Sequence, residues 1–259
     1  MSHNYASEIE SITNMRLNLL FIGSTMRKVW LIILSIVISS SLLAEDDADF
    51  LAGFEAYRKS DYELALKHFS LSAELGNKRS QNNLGWMYYH GQGTTKDYDK
   101  SFFWYQKAEA CGEPLVLYML GQSYLFGRGT DIDKNKAFEY FHKAYGKGLP
   151  VADLRVGLDF YFGISTDKNI EKARVLINSA AMAGHPAAQF FAGYLELELN
   201  NTEKAVYWLK ASDKQNYHLA KLLLAEIAQN NGAHIQAVKE IVSAMPLLTT
   251  SNVTFEVKK

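Results

Sequence analysis

The chain has 259 residues, 48% hydrophobic and 13% aromatic, with 27 Lys and Arg against 28 Asp and Glu for a net charge of −1. That composition excludes a disordered polar chain, and the lack of a basic excess argues against a general nucleic-acid binder. A single cysteine, Cys111, excludes an internal disulfide framework and any multi-thiolate metal site, while 4 prolines and 17 glycines favour long regular elements over many short strands.

Residues 26–44, "MRKVWLIILSIVISSSLLA", place two cations, Arg27 and Lys28, before an apolar run and a serine-rich exit ending at Ala44. This is the layout of a secretory signal peptide, and the apolar run falls short of the roughly 20 residues a membrane-spanning helix needs. Met26 is then the expected start, with residues 1–25 an over-extended reading of the frame. The alternative is an uncleaved membrane anchor beginning at Met1 or Met15. No cysteine stands at the exit to carry a lipid.

From residue 48 the chain repeats itself. Gly85, Gly121, Gly157 and Gly193 recur at intervals of 36, as do Gly76, Gly112, Gly148 and Gly184. A lysine and a small residue recur in phase as Lys100-Ser101, Lys136-Ala137 and Lys172-Ala173, then as Lys204-Ala205 after only 32. Gly53 likewise lies 32 before Gly85, so the first and fifth units share a shortened connection. Two glycine series in phase define a repeat protein.

Each unit reads as a helical hairpin. Leu84, Met87, Tyr88 and Gly91 follow the i, i+3, i+4, i+7 spacing of a first helix. Gly91 and Gly93 end it, because a left-handed cap carries no penalty at glycine. Asp97 offers an N-cap oxygen to a second helix, with Phe102, Tyr105, Ala108 and Glu109 in register and a stop at Gly112. A glycine inside a helix costs about 1 kcal/mol relative to alanine, so the Gly85 series marks a close approach by a neighbouring helix. One hairpin cannot bury its own apolar face; stacked hairpins can. The expected fold is all-α, a right-handed α/α solenoid of stacked helix-turn-helix repeats over residues 45–246. Its units are about 48–80, 81–116, 117–152, 153–188, 189–220 and 221–246. The last segment, Ala233 to Pro246, caps the stack, and residues 247–259 form a C-terminal tail whose alternating Val253, Phe255 and Val257 would also suit an added strand.

These residues resemble the Sel-one-like repeat family, a cousin of the tetratricopeptide repeat. The second unit carries the resemblance through Leu84, Gly85, Tyr88, Gly91, Gly93, Asp97, Lys100, Trp104, Lys107, Ala108 and Gly112. The third does so through Leu120, Gly121, Tyr124, Gly127, Gly129, Asp133, Lys136 and Ala137, and the fourth through Gly157, Phe160, Gly163, Lys172, Ala173, Gly184, Ala188 and Gln189. The fifth keeps Gly193, Lys204, Ala205, Trp208, Lys210 and Ala211 but replaces the glycine turn with "LELELNNTE". The resemblance implies a scaffold, with envelope regulation, secretion, exopolysaccharide assembly or flagellar motors as the company such proteins keep. Family members with a cysteine pair in each repeat are linked to penicillin binding; this chain has no such pairs.

No residue set reads as a catalytic, cofactor or metal site. His68, His90, His142, His185, His218 and His234 form no i, i+4 pair and no HExxH. His142 and His185 read as surface or capping residues, and Cys111 as a buried or half-buried thiol. Ser165 to Lys168, "STDK", matches the nucleophile-lysine spacing of penicillin-recognising enzymes, but an all-helical chain lacks the strand those sites need, so the segment reads as a turn. Aromatic residues crowd the first helices, which line the inner curve of solenoids. Tyr88, Tyr124 and Phe160 hold the packing position, whereas Trp86, Tyr89, Tyr161 and Tyr194 are either further core, where bulky rings are usually found, or candidate exposed anchors for a partner. The expectation is a non-enzymatic scaffold or adaptor, periplasmic or secreted in a bacterium, binding a protein or peptide on its concave face. No cofactor, metal, nucleic acid or stable membrane insertion after signal removal is expected. The alternative is a cell-wall-acting or penicillin-interacting enzyme.

Overall fold

The computed structural model describes residues 48–229 and Val242, and divides the chain into two compact units, Met1–Ser80 and Gln81–Lys259. The expected leader at 26–44, the extension before it and the tail at 247–259 lie outside the described residues, as does most of the capping segment. The described residues are helical, with no strand among them. In chain order they form α1 (48–58), α2 (Tyr62–Glu74), α3 (Lys78–His90), α4 (Tyr98–Ala108), a short 3-10 turn (Glu109–Cys111) and α5 (Pro114–Phe126). There follow α6 (Lys134–Ala144), α7 (Pro150–Phe162), α8 (Ile170–Met182), α9 (Pro186–Glu198), α10 (Thr202–Asp213) and α11 (His218–Gln229).

The glycine series is explained by what stands opposite it. A Cβ built at Gly121 would lie 2.6 Å from Cε1 of Phe141, and one at Gly85 would lie 2.8 Å from the Tyr105 ring. At Gly157 the obstacle is Ile177 at 2.8 Å, and at Gly193 it is Leu209 at 2.7 Å. In the first unit Gly53 meets the Phe69 ring at 2.8 Å. Each second helix thus drives one fully buried side chain into the notch that a missing Cβ leaves in its first helix. The small residue after the repeated lysine completes the fit: Ser101 Oγ donates to the Gly85 carbonyl at 2.8 Å, and Ala137, Ala173 and Ala205 are buried.

The repeated lysine has its own task. Lys100 Nζ stands 5.3 Å from the ring centroid of Tyr88, Lys136 Nζ 5.2 Å from Tyr124 and Lys172 Nζ 5.2 Å from Phe160. Each is a cation over a ring face that pins the second helix to the first, worth about 0.5–1 kcal/mol at an exposed site. The turns repeat as closely. Gly91, Gly127 and Gly163 hold left-handed φ of 71°, 63° and 67°, and Asp97, Asp133 and Asn169 accept from the amides of Lys100, Lys136 and Lys172 at 2.9–3.0 Å. In the short hairpins a single left-handed residue makes the turn instead, Ser60 at φ 63° and Asn200 at φ 61°.

The hairpin stop contains a member that the glycine spacing alone does not reveal. Asn216, 32 residues after Gly184, takes the same left-handed conformation at φ 62°, a conformation that asparagine tolerates best after glycine. From α4 to α11 each helix packs on the next in sequence. Between α4 and α11 the core divides into two clusters, one around Tyr105, Leu120 and Phe141 and one around Ile177, Phe190 and Leu209. Val242 is buried in the second cluster with Ala220 and Leu223. Cys111 departs from the buried thiol expected of it: it is exposed, because α4 ends at Ala108 and the chain tightens into the 3-10 turn before Gly112. His142 is not a plain surface residue either, since its ring packs 4.2 Å from Phe138 and 6.0 Å from Phe160. His185 is a cap: its Nδ1 accepts from the Ala188 amide at 3.2 Å at the start of α9.

Candidate functional site

The first helices α3, α5, α7 and α9 carry a row of side chains just after the packed glycine. One position on stand Trp86, Gln122, Leu158 and Tyr194; four positions on stand Tyr89, Leu125, Tyr161 and Leu197. At the α3 end, Trp86 and Tyr89 are half-buried. Trp86 packs against His90 with centroids 4.1 Å apart, and Tyr89 meets Tyr98 edge-on at 5.4 Å. The Arg128 guanidinium, presented by the turn after α5, donates to the Tyr89 hydroxyl and lies over three rings: Tyr89 and Tyr98 at 5.3 Å and Phe126 at 5.0 Å. Burial raises the Tyr89 pKa, with Arg128 opposing, so the hydroxyl stays protonated. Burial, helped by Lys96, lowers the pKa of His90 and favours a neutral ring beside Trp86.

In the middle of the row the helices bury polar groups. Gln122 Nε2 donates to the Tyr118 hydroxyl at 2.6 Å, and burial pushes the Tyr118 pKa up to about 12 against the pull of Arg155. Arg155 and Asp159, one turn apart on α7, are 7% and 1% exposed and pair at 3.3 Å, with the guanidinium also 5.2 Å over the Phe141 ring. Desolvation outweighs Arg155 and raises the Asp159 pKa to about 6. The equivalent positions hold Met119 and Ser123 on α5 and Phe191 and Leu195 on α9. A buried ion pair is seldom more stable than the apolar residues it replaces, so this pair is a departure from the repeat and not its requirement.

At the α9 end the two rings are core and not exposed anchors. Tyr161 and Tyr194 are 7% and 4% exposed, because both rings sit in the second core cluster and each fills the space beside the other. Their rings cross at 88° with centroids 6.4 Å apart, and the Tyr161 hydroxyl donates to Glu198 Oε2 at 2.8 Å. Burial first, then the bond to Glu198, holds the Tyr161 hydroxyl above the usual tyrosine range, and burial pushes Tyr194 to about 12. Beside them the Arg174 guanidinium reaches buried Glu196 at 3.1 Å, and Asn201 Nδ2 donates to the other oxygen at 2.9 Å.

Of the four candidate anchors, the structure thus pairs Trp86 with Tyr89 at one end of the row and Tyr161 with Tyr194 at the other. Ser165 lies in the turn after α7, and Lys168 Nζ stands 5.4 Å over the Tyr161 ring. Arg128, the Arg155–Asp159 pair and Glu198 were not singled out by sequence reasoning. For Arg155, Asp159 and Glu198 the available signal was an acidic or basic residue at a first-helix position that the other three of α3, α5, α7 and α9 fill with apolar, amide, hydroxyl or ring side chains. Among the described residues no group of three or more His, Cys, Asp or Glu side chains is placed to hold a metal ion, and no helix is long and apolar enough to cross a membrane.

Helical hairpins anchored by one glycine notch per unit and packed in chain order define an all-α repeat protein of the solenoid class. The Sel1 repeat model matches residues 50–77, 78–113, 114–149, 150–185 and 186–217, and the chain belongs to the Sel1 repeat family. Solved structures similar to it include two at 28% identity. One is a Sel1 repeat protein from Oxalobacter formigenes, 28% identical with a TM-score of 0.63, covering 70% of this chain and 76% of that one. The other is a protective antigen present in uropathogenic Escherichia coli strains and displaying an SLR fold, also 28% identical with a TM-score of 0.63 over 73% of this chain. The chain spans only 42% of that antigen's length. No curated protein matches the chain.

Proposed function

We propose that the chain is an exported, non-enzymatic scaffold that holds a protein or peptide partner along the face shared by its first helices. Sel1 repeat stacks serve as protein-interaction scaffolds, and in helical-repeat stacks the first-helix face is the extended binding surface. One observation carries the reading to particular residues. Trp86 and Tyr89 remain half-buried at one end of the row, held by His90, Tyr98 and Arg128, whereas the equivalent rings further along are sealed in the packing. Rigid, partly exposed Trp and Tyr side chains are the usual anchors of interfaces. Against the enzyme reading, Asp159, a carboxylate with a displaced titration, is closed off from solvent and paired to Arg155.

Crosslinking capture from intact cells tests the proposal, comparing the wild type with a Trp86→Ala, Tyr89→Ala variant shown by circular dichroism to keep its helices. A partner held by the wild type and lost by the folded variant supports it. Capture that the substitutions leave unchanged moves the site off these residues, and no partner at all overturns the adaptor reading. Export is tested separately by sequencing the N-terminus of the protein recovered from cells, with Glu45 the expected first residue.

A further inference from the structure

Helix α9 ends differently from α3, α5 and α7. Those stop at Gly91, Gly127 and Gly163, whereas α9 runs to Glu198 and turns through Leu199 and Asn200. Two carboxylates, Glu196 and Glu198, therefore sit in the last turn of a helix, where the carbonyl ends already carry partial negative charge. Glu196 is buried and compensated by Arg174 and Asn201. Glu198 is exposed, and the groups that hold it are the hydroxyls of Tyr161, at 2.8 Å, and Tyr194.

Among the described residues no Lys, Arg or His lies within ion-pair distance of Glu198. The hydroxyls fix the carboxylate in place, and the ring beside it already attracts a cation: Lys168 Nζ stands 5.4 Å from the Tyr161 centroid. At the same position of the row α3, α5 and α7 carry His90, Phe126 and Phe162. A fixed negative charge thus stands at one end of a row that carries rings elsewhere.

We propose that the Tyr161–Tyr194–Glu198 corner is a subsite for the ammonium or guanidinium group of a basic side chain on the protein partner. The inference rests on the scaffold reading above and adds to it a charge and a direction: the partner's basic residue lies toward α9 and its apolar residues toward α3. The gain on occupancy is neutralisation of an exposed carboxylate that the helix end disfavours and that the two buried tyrosines hold in place through their hydroxyls.

The test titrates N-acetyl-arginine methylamide into the full chain carrying carbon-13-labelled tyrosine rings, with N-acetyl-norleucine methylamide as the uncharged probe. Tyr161→Phe and Tyr194→Phe variants assign the two resonances. The expected result is a saturable shift of both with the arginine probe, none with the norleucine probe, and binding about fivefold weaker in Glu198→Gln, as for the loss of an exposed charge pair. Resonances of the other tyrosines check that Glu198→Gln keeps its fold. An equal response to norleucine, or binding unchanged by Glu198→Gln, overturns the inference. The partner capture described above, repeated with Glu198→Gln, separates the two readings. Loss with Trp86→Ala, Tyr89→Ala but not with Glu198→Gln leaves the scaffold reading standing and refutes the subsite. Failure of the wild type to capture anything refutes the scaffold reading, while the amide titration still decides the subsite.

Discussion

A methyl group added at Gly121 would stand 2.6 Å from Phe141 Cε1 and 3.1 Å from the Ala137 carbonyl oxygen. Phe141 is fully buried, and Ala137 O belongs to the backbone of α6, so neither obstacle can turn away into solvent. Overpacking of this kind costs ~1–3 kcal/mol, and the better helix propensity of alanine returns about 1 kcal/mol. Gly121→Ala should therefore destabilise by up to about 2 kcal/mol, which for a unit of this size lowers Tm by up to roughly 8 °C. Thermal and urea unfolding followed by circular dichroism and by tyrosine fluorescence reads this directly. Phe141→Leu shortens the opposing side chain, so the same glycine substitution in that background should cost about 1 kcal/mol less, a coupling that contacting residues show and distant ones do not. A Tm that rises with Gly121→Ala, or an equal cost in both backgrounds, would refute the close-approach account of the glycine series.

Three further outcomes are expected. His185 caps α9 as a neutral ring, and burial lowers its pKa to about 4; its contribution is complete above its ordinary value of 6.5 and is lost as pH falls toward 4. Asp159 works the other way, since a pKa raised from 3.8 to about 6 withdraws stability as pH rises through that window. The two oppose each other between pH 4 and 6, so His185→Asn, which keeps a capping side chain, should reveal stability falling from pH 4 to 6. A flat or rising profile in that variant would contradict the Asp159 assignment, and a profile identical to the wild type's would contradict that of His185. Asp159→Leu alone removes the carboxylate from buried Arg155 and should cost about 3 kcal/mol or more, whereas Arg155→Met with Asp159→Leu, apolar like the equivalent Phe191 and Leu195 of α9, should recover to within about 1 kcal/mol of the wild type. Urea midpoints decide this, and a double variant no better than the single one would show that the pair itself holds α7 in place. Exposed Cys111 should react stoichiometrically with a thiol reagent in the native protein within minutes; protection until the chain unfolds would contradict the exposed 3-10 turn.

The hairpins were legible because glycine leaves a trace that few other residues can replace. Inside a helix it marks the notch that Phe141 or Tyr105 fills, and at a turn it marks a left-handed φ. Legibility ended where another residue could do the same work. Asn216 continues the stop series without being a glycine, and Ser60 and Asn200 turn the short hairpins, so the spacing understated how regular the frame is. The face was harder to read for a different reason. Trp86, Tyr89, Tyr161 and Tyr194 occupy matching positions in a one-dimensional pattern, but their exposure depends on the helix next along the stack. Tyr161 and Tyr194 cover each other between α7 and α9, while Trp86 and Tyr89 stay half-open beside His90 and Tyr98. Glu198 went unremarked although "LELELNNTE" was the clearest break in the pattern, since the role of a carboxylate there depends on the two hydroxyls that neighbouring helices bring to it.

The long and short hairpins seat their anchors alike: Gly53 receives Phe69 and Gly193 receives Leu209 through three-residue turns with one left-handed residue each, just as Gly121 receives Phe141 across a glycine-bounded loop. Turn length and helix pairing are therefore separate variables in this chain. Such a frame tolerates insertion and deletion at its turns without re-registering the helices on either side, so new recognition loops can be grafted there. Asn200 is the natural place to splice one in: it sits beside Glu198, in a turn where the fifth unit dispenses with the glycine loop that its three predecessors keep.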